Sequence, residues 1–180
     1  MKQIVSAVFS VLLILVATAN PLTAAAASNK EEMSKARETI ATFRKKDPGI
    51  KQFFNRSYGY AVFPTVGKAG IGIGGAYGEG KVFRGGKYVG DAKLTQLSIG
   101  FQLGGQAYSE IIFFQTKSAF SKFTNSDLKL SAQVSAVAIK EGAAAQTAFR
   151  RGIAIFTMAK GGLMYEAAVA GQSFEYKGKK

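Results

Sequence analysis

The sequence predicts an α+β domain: N-terminal helices packed on a strongly bent, mainly antiparallel β-sheet, with barrel-like closure as one form that sheet can take. Three observations point there. Apolar residues recur at helical spacing through Met33, Ala36, Ile40 and Phe43. From Tyr58 onward the period drops to two. Three Gly-Gly pairs, Gly85-Gly86, Gly104-Gly105 and Gly161-Gly162, then sit between strand-like flanks, and paired glycines accept the positive φ angles of tight hairpins. With 180 residues the chain has the length of one domain, which can bury an ordinary core.

Residues 1–27 read as a cleaved secretory signal. Lys2 supplies a short positive region, Ile4 to Ala17 an apolar run too short to span a bilayer, and Thr23 to Ala27 the small residues of a cleavage site. Ala17-Thr18-Ala19 offers a second site, so the mature chain starts at Asn20, Ala27 or Ser28. No cysteine follows, which excludes a lipoprotein anchor. The expectation is a single domain over 28–180, exported to the periplasm or cell envelope.

Ser28 or Asn29 is placed to cap a helix running to about Lys46, with Arg44, Lys45 and Lys46 complementing its C-terminal dipole. Asp47-Pro48 reads as an N-cap and first-turn proline opening a short second helix through Ile50, Phe53 and Phe54. This region admits two readings. Either the apolar stripe covers the sheet, or the basic element lies on a membrane with its apolar residues turned into it.

Beyond Tyr58, Gly70, Gly72 and Gly74 alternate with Ile71 and Ile73. Read as one strand, they leave a sheet face without side chains, open to close approach by another backbone, a helix or a ligand. A longer strand follows, with Leu97, Ile99, Phe101 and Leu103 opposing Gln96, Ser98, Gly100 and Gln102. Ile111 to Phe114 is apolar on both faces, as in a central strand. Thr116 to Thr124 reads as a short helix and Leu128 to Ile139 as a strand, its alanines leaving helix open. Glu141 to Arg151 is a polar connection, and Ile153–Met158 with Leu163–Tyr176 forms a last hairpin.

Much chemistry is excluded by composition. The chain has no cysteine and no histidine, so disulfides, thiolate metal sites, cysteine nucleophiles and the usual neutral-pH base are all missing. Gly70-Ile-Gly-Ile-Gly-Gly75 matches a dinucleotide fingerprint, but no helix start follows it. Carboxylates are not spaced as metal ligands, and the one conceivable catalytic pair is Glu79 with Glu110 across strands. The expectation is therefore a non-enzyme without cofactor or metal. A formal charge of +13 with pI near 10.0 favours a polyanionic partner. Nucleic acid is set aside, because the aromatics fall at core-type positions and no recognition signature is present. The densest cationic cluster is Arg44, Lys45, Lys46, Lys51 and Arg56, beside Phe53 and Phe54, a combination suited to an anionic lipid surface.

The stretch Gly59 to Phe114 resembles the SYLF family of lipid-binding domains. The resemblance is carried by Tyr60-Ala-Val-Phe-Pro64, Val66-Gly-Lys-Ala-Gly70, Gly72-Ile-Gly-Gly-Ala-Tyr-Gly-Glu-Gly80, Leu94-Thr-Gln96 and Gly100 to Phe114. Similar eukaryotic domains sit beside Src-homology or FYVE modules, where they bind phosphoinositides and, in fungi, actin; no such module occurs here. The resemblance implies anionic phospholipid binding at the envelope membrane, and its Val-Gly-Lys-Ala-Gly motif adds Lys68 as a site residue. The alternative is a structural or adaptor protein of the envelope whose basic surface binds a protein or a polyanionic glycan.

Overall fold

The computed structural model describes residues 21–71, 73–99, 106–130, 135–161 and 169–179. Helix α1 (Pro21–Lys46) leads through a 3₁₀ turn (Pro48–Ile50) to α2 (Lys51–Arg56). Strands β1 (Gly59–Ile71), β2 (Ile73–Arg84), β3 (Lys87–Ile99) and β4 (Gln106–Phe114) follow, then α3 (Lys117–Thr124), β5 (Ala136–Ala138), β6 (Ile153–Lys160) and β7 (Gln172–Gly178). The seven strands form one sheet in the order β5-β6-β4-β1-β2-β3-β7, antiparallel except for the β5–β6 pair. It has two edges and is not closed into a barrel. The predicted α+β class and mainly antiparallel sheet are both present.

Both faces of the sheet are covered because its strands are apolar on both sides. On the outer face, Tyr60, Val62, Phe83, Ile111, Phe113 and Phe156 receive Ala36 and Phe43 of α1 and Phe53 of α2. On the inner face, Ala61, Phe63, Leu94, Tyr108, Ile112 and Phe114 meet Phe120 and Phe123 of α3 and Phe174 of β7. The Phe174 ring, near one edge, lies 6.0 Å from that of Phe63 in the middle of the sheet and 5.3 Å from that of Phe123, which records how strongly the sheet bends. A register shift in β1 between Val62 and Thr65 absorbs Pro64, whose missing N–H is tolerated at a bulge.

Several expectations need correction. The helix begins at Pro21 rather than at a Ser28 or Asn29 cap, since the alanine-rich stretch is itself a strong helix former. Asn29 instead accepts a hydrogen bond from Lys81 Nζ (2.8 Å). The stripe Met33, Ala36, Ile40 and Phe43 packs on the sheet, so the first reading of the helix holds and its apolar side is not available to a membrane. Gly70 and Gly74 do not share a strand: Gly70 of β1 pairs with Gly74 of β2, and Ile71 with Ile73; Gly72 lies outside the described residues. The structure assigns the two faces of β3, which the alternation alone left open. Ala92, Leu94 and Gln96 point inward, while Leu97 is 73% exposed, because Leu94 opposite Phe174 sets the parity. Phe101, Leu103 and the Gly104-Gly105 hairpin lie outside the described residues. Of the hairpin expected between Ile153–Met158 and Leu163–Tyr176, residues 162–168, with Gly162 of its turn, lie outside the described residues. β6 pairs with β4 and β7 with β3, five strands apart in the sheet. Of the Leu128–Ile139 strand, Lys129 bridges to Ser173 and Ala136–Ala138 pairs with β6, with residues 131–134 outside the described set.

Other expectations stand. Gly85 and Gly86 form the β2–β3 hairpin at φ 54° and 77°. Asp47 caps the turn as expected, its Oδ1 accepting from Gly49 N (3.0 Å), and Thr116 caps α3. Glycine allows close approach at Gly80. A Cβ on Gly80 would stand 2.6 Å from Phe63 Cδ1 and 2.7 Å from Val62 O. Gly80→Ala is therefore expected to lower unfolding free energy by about 1–3 kcal/mol in a urea titration, since Phe63 is wholly buried and has little room to yield.

Candidate functional site

The strand ends place cations that are distant in sequence at one pole of the molecule. β1 and β3 begin there and β2 and β4 end there: Gly59 pairs with both Arg84 and Phe114, and Arg84 with Lys87. β6 begins there too, with Phe114 opposite Ile153, and Gln115 N donates to Gly152 O (2.8 Å). The hairpin thus presents Arg84 and Lys87, the start of α3 presents Lys117, and the tight turn before β6 presents Arg150 and Arg151. α2 lies over the same end, its Phe53 and Phe54 rings 5.7 and 4.8 Å from Phe113, and brings Lys51 and Arg56. The end of α1 completes the set with Arg44, Lys45 and Lys46, the Arg44 guanidinium lying 4.4 Å from the centre of the Phe54 ring.

All ten side chains are exposed. None is in an ion pair among the described residues, where the ion pairs are Glu31–Lys35, Glu32–Lys81 and Lys81–Asp91. Asp47, in the middle of the cluster, is only 3% exposed and points inward, its Oδ2 accepting from Ala144 N (2.7 Å). The pole therefore presents positive charge that no nearby carboxylate cancels through a close pair.

Acids gather elsewhere. Glu32, Glu79, Asp91 and Glu175 border a groove between α1 and the outer face of the sheet. At its edge Lys81, 3% exposed, bonds to Glu32 Oε2 and Asp91 Oδ1 (both 2.7 Å), and Tyr88 Oη donates to Asp91 Oδ1 (2.9 Å). Burial alone would pull the Lys81 ammonium down, but its hydrogen bonds and the charges of Asp91 and Glu32 together hold it above its ordinary value. This cluster ties α1 to β2 and is structural in character.

The sequence-predicted residues are placed as follows. Arg44, Lys45, Lys46, Lys51 and Arg56 come together at the pole. Phe53, 2% exposed, is a core residue among Phe113, Phe149 and Phe156, so it cannot insert into a bilayer without α2 leaving the fold. Phe54 is half-buried beneath Arg44. Lys68 lies on the inner face, nine residues along β1 from Gly59 and so about 30 Å from the pole. Glu79 and Glu110 do not meet: Glu79 is exposed on the outer face, and Glu110 is wholly buried on the inner one.

Sequence reasoning missed Arg84, Lys87, Lys117, Arg150 and Arg151. The available signal was local, since Arg84 and Lys87 flank the Gly85-Gly86 hairpin and Arg150-Arg151 precedes Gly152. Arg151 is informative because its φ of 53° is left-handed, where a long side chain is disfavoured and Asn or Gly is at ease. Backbone strain of this kind persists where the side chain has a use. Arg151→Asn is expected to raise stability by up to about 1 kcal/mol by urea titration. It should also weaken binding to anionic vesicles several-fold through the loss of one cation.

The family model described as Ysc84, Las17-binding protein actin regulator, matches residues 95–178. Beta cell expansion factor A from Aeromonas veronii is 27% identical over 136 residues, 71% of this chain and 49% of that protein, so the chain spans about half the length of this relative. These matches carry the SYLF resemblance through the C-terminal part of the chain.

Proposed function

We propose that this chain, a member of the SYLF family of binding domains, acts without catalysis as a peripheral binder of anionic phospholipid at a bacterial envelope membrane. One observation carries the reading: ten exposed lysines and arginines gather at one pole, unpaired among the described residues. Each Lys or Arg close to an anionic bilayer contributes about 1 kcal/mol, and the attraction fades within a Debye length of roughly 8 Å at physiological salt. Only cations presented together on one surface can add in this way. No helix among the described residues is long and apolar enough to cross a membrane, and the reading requires none.

The family model's description favours a second reading, in which the same pole docks an acidic protein partner. Co-sedimentation with vesicles separates the two. Binding to vesicles containing phosphatidylglycerol, absent with phosphatidylcholine alone and falling steeply with salt, supports the lipid reading. Equal affinity for both compositions, or none for either, removes it. The export reading has its own check. Mass spectrometry of envelope fractions should find a chain starting between Asn20 and Ser28, and intact Met1–Lys180 in the cytosol would contradict it.

A further inference from the structure

A groove of about 490 Å³ runs along the flank of α1 that faces the start of β3. Its walls carry Lys30 and Arg37 of α1 and Lys179, just past β7, none of them among the ten cations of the pole. All three are exposed, and none is in an ion pair among the described residues. Among the described residues no carboxylate lines this groove. The acids of α1 are engaged or turned away. Glu31 pairs with Lys35 and Glu32 with Lys81, while Glu38 borders a different groove beside Thr39 and Thr42. Asp91, which accepts from Tyr88 Oη, is paired with Lys81.

The helix sets these cations in a row with a regular interval. Lys30 and Arg37 are seven residues apart, two turns of helix, which puts them on one face about 10 Å from each other. Arg44 lies seven residues further along and carries the row to the pole at the same interval. Opposite the row, Lys179 N donates to Val89 O (2.8 Å), which holds this segment beside β3. The Lys179 ammonium stands 6.0 Å from the centre of the Tyr88 ring. Tyr88 and Met33, both half-buried, give the groove an apolar lining between its charges.

An interval of about 10 Å along α1 selects among polyanions. It is too wide for the phosphates of one strand of a duplex, which follow each other at about 3.4 Å along the axis. It also exceeds the roughly 6.7 Å between same-face side chains of an extended peptide. A polysaccharide with a carboxylate on alternate sugars spaces its charges more widely than either. The C–H faces of its rings also pack on an aromatic side chain. We propose that this groove binds an acidic polysaccharide lengthwise along α1, with its carboxylates on Lys30, Arg37 and Lys179 and a sugar ring against Tyr88. The site is separate from the ten cations that face a bilayer, apart from Arg44, where the row meets the pole. It stands whether or not the pole binds membrane.

The test is calorimetric titration of the full chain with a hyaluronan decasaccharide, which carries a carboxylate on every second sugar. The expected result is saturable binding, weakened at least tenfold when Lys30, Arg37 and Lys179 are all changed to glutamine. Changing Lys117, Arg150 and Arg151 to glutamine removes the same charge from the pole and should cost less than threefold. The groove variant should still bind phosphatidylglycerol vesicles as wild type does, which separates this site from the membrane surface. An uncharged maltodextrin of the same length should not bind, and pentaglutamate, with the same number of carboxylates, should bind at least tenfold more weakly. Should the groove variant fail to fold, NMR of the chain with its lysines reductively ¹³C-methylated replaces it, with Lys30 and Lys179 shifting on addition of the decasaccharide and Lys117 unmoved. No saturable binding, equal losses in the two variants, or a Lys117 shift as large as those of Lys30 and Lys179 overturns the proposal. Equal affinity for pentaglutamate overturns it in favour of an acidic peptide.

Discussion

Glu110→Gln is expected to stabilise the protein at pH 9 by several kcal/mol while changing little at pH 4. Glu110 is wholly buried on β4, where Gln172 Nε2 donates to its Oε2 (3.0 Å) and also to Tyr108 Oη (3.1 Å). Glu110 Oε1 and Gln172 Oε1 have no hydrogen-bond partner among the described residues. Burial pushes the Glu110 carboxyl up to about 8 from its ordinary 4.5, and the Gln172 hydrogen bond offsets only part of this. The folded chain therefore holds a proton that the unfolded chain has already released between those two values. Stability contributed by the neutral acid is fully present below about pH 4.5 and is lost as pH rises toward 8, by up to about 5 kcal/mol in total. A glutamine at this position keeps the acceptor for Gln172 Nε2, adds a donor for its orphaned Oε1, and does not titrate. Urea titrations from pH 4 to 9 read the effect, and with no histidine in the chain few other groups interfere in that window. A fall in stability of equal size in wild type and variant would place its origin elsewhere.

The second large effect concerns the pole. Changing Arg44, Lys45 and Lys46 together to glutamate is expected to weaken binding to phosphatidylglycerol vesicles by a hundredfold or more, at about 1 kcal/mol for each cation removed. The salt dependence of what remains should flatten. Neutralising Arg84, Lys87, Arg150 and Arg151 to glutamine should cost a similar factor, although these residues lie between about 40 and 107 positions away in sequence from the first three. All seven side chains are exposed, so the folded state should survive both changes, which circular dichroism checks. Undiminished binding by the folded variants would move the lipid surface elsewhere on the molecule.

What could be read before the structure was mostly local. The period-3.6 stripe of α1, the Asp47-Pro48 cap, the Gly85-Gly86 hairpin and the doubly apolar Ile111–Phe114 each record their own conformation in neighbouring residues, and each is present. What failed depended on distant partners. Alternation along β3 shows that two faces differ but not which one is inner, and Leu94 opposite Phe174 decides that against Leu97. The glycine run could be read as one strand because nothing within it marks Gly70 and Gly74 as partners rather than successors. The far end of the arm expected to fold back on β6 likewise has a distant partner, since β7 pairs with β3. Half of the basic pole was legible as a cluster in sequence. The other half is assembled by antiparallel pairing, which returns the ends of β2 and β4 to the starts of β1, β3 and β6.

The claim that the basic pole is what meets the bilayer is tested most directly by measuring which part of the protein lies next to lipid. The chain has no cysteine, so one introduced residue takes a nitroxide label unambiguously. Labels would be placed at Lys87→Cys on the pole and at Glu79→Cys on the exposed outer face. Collision with a nickel chelate carried on the lipid headgroups is then recorded by electron paramagnetic resonance. The account predicts strong relaxation enhancement at 87 and little at 79 with phosphatidylglycerol vesicles, and none at either with phosphatidylcholine vesicles. Equal enhancement at both positions, or a stronger effect at 79, would contradict it.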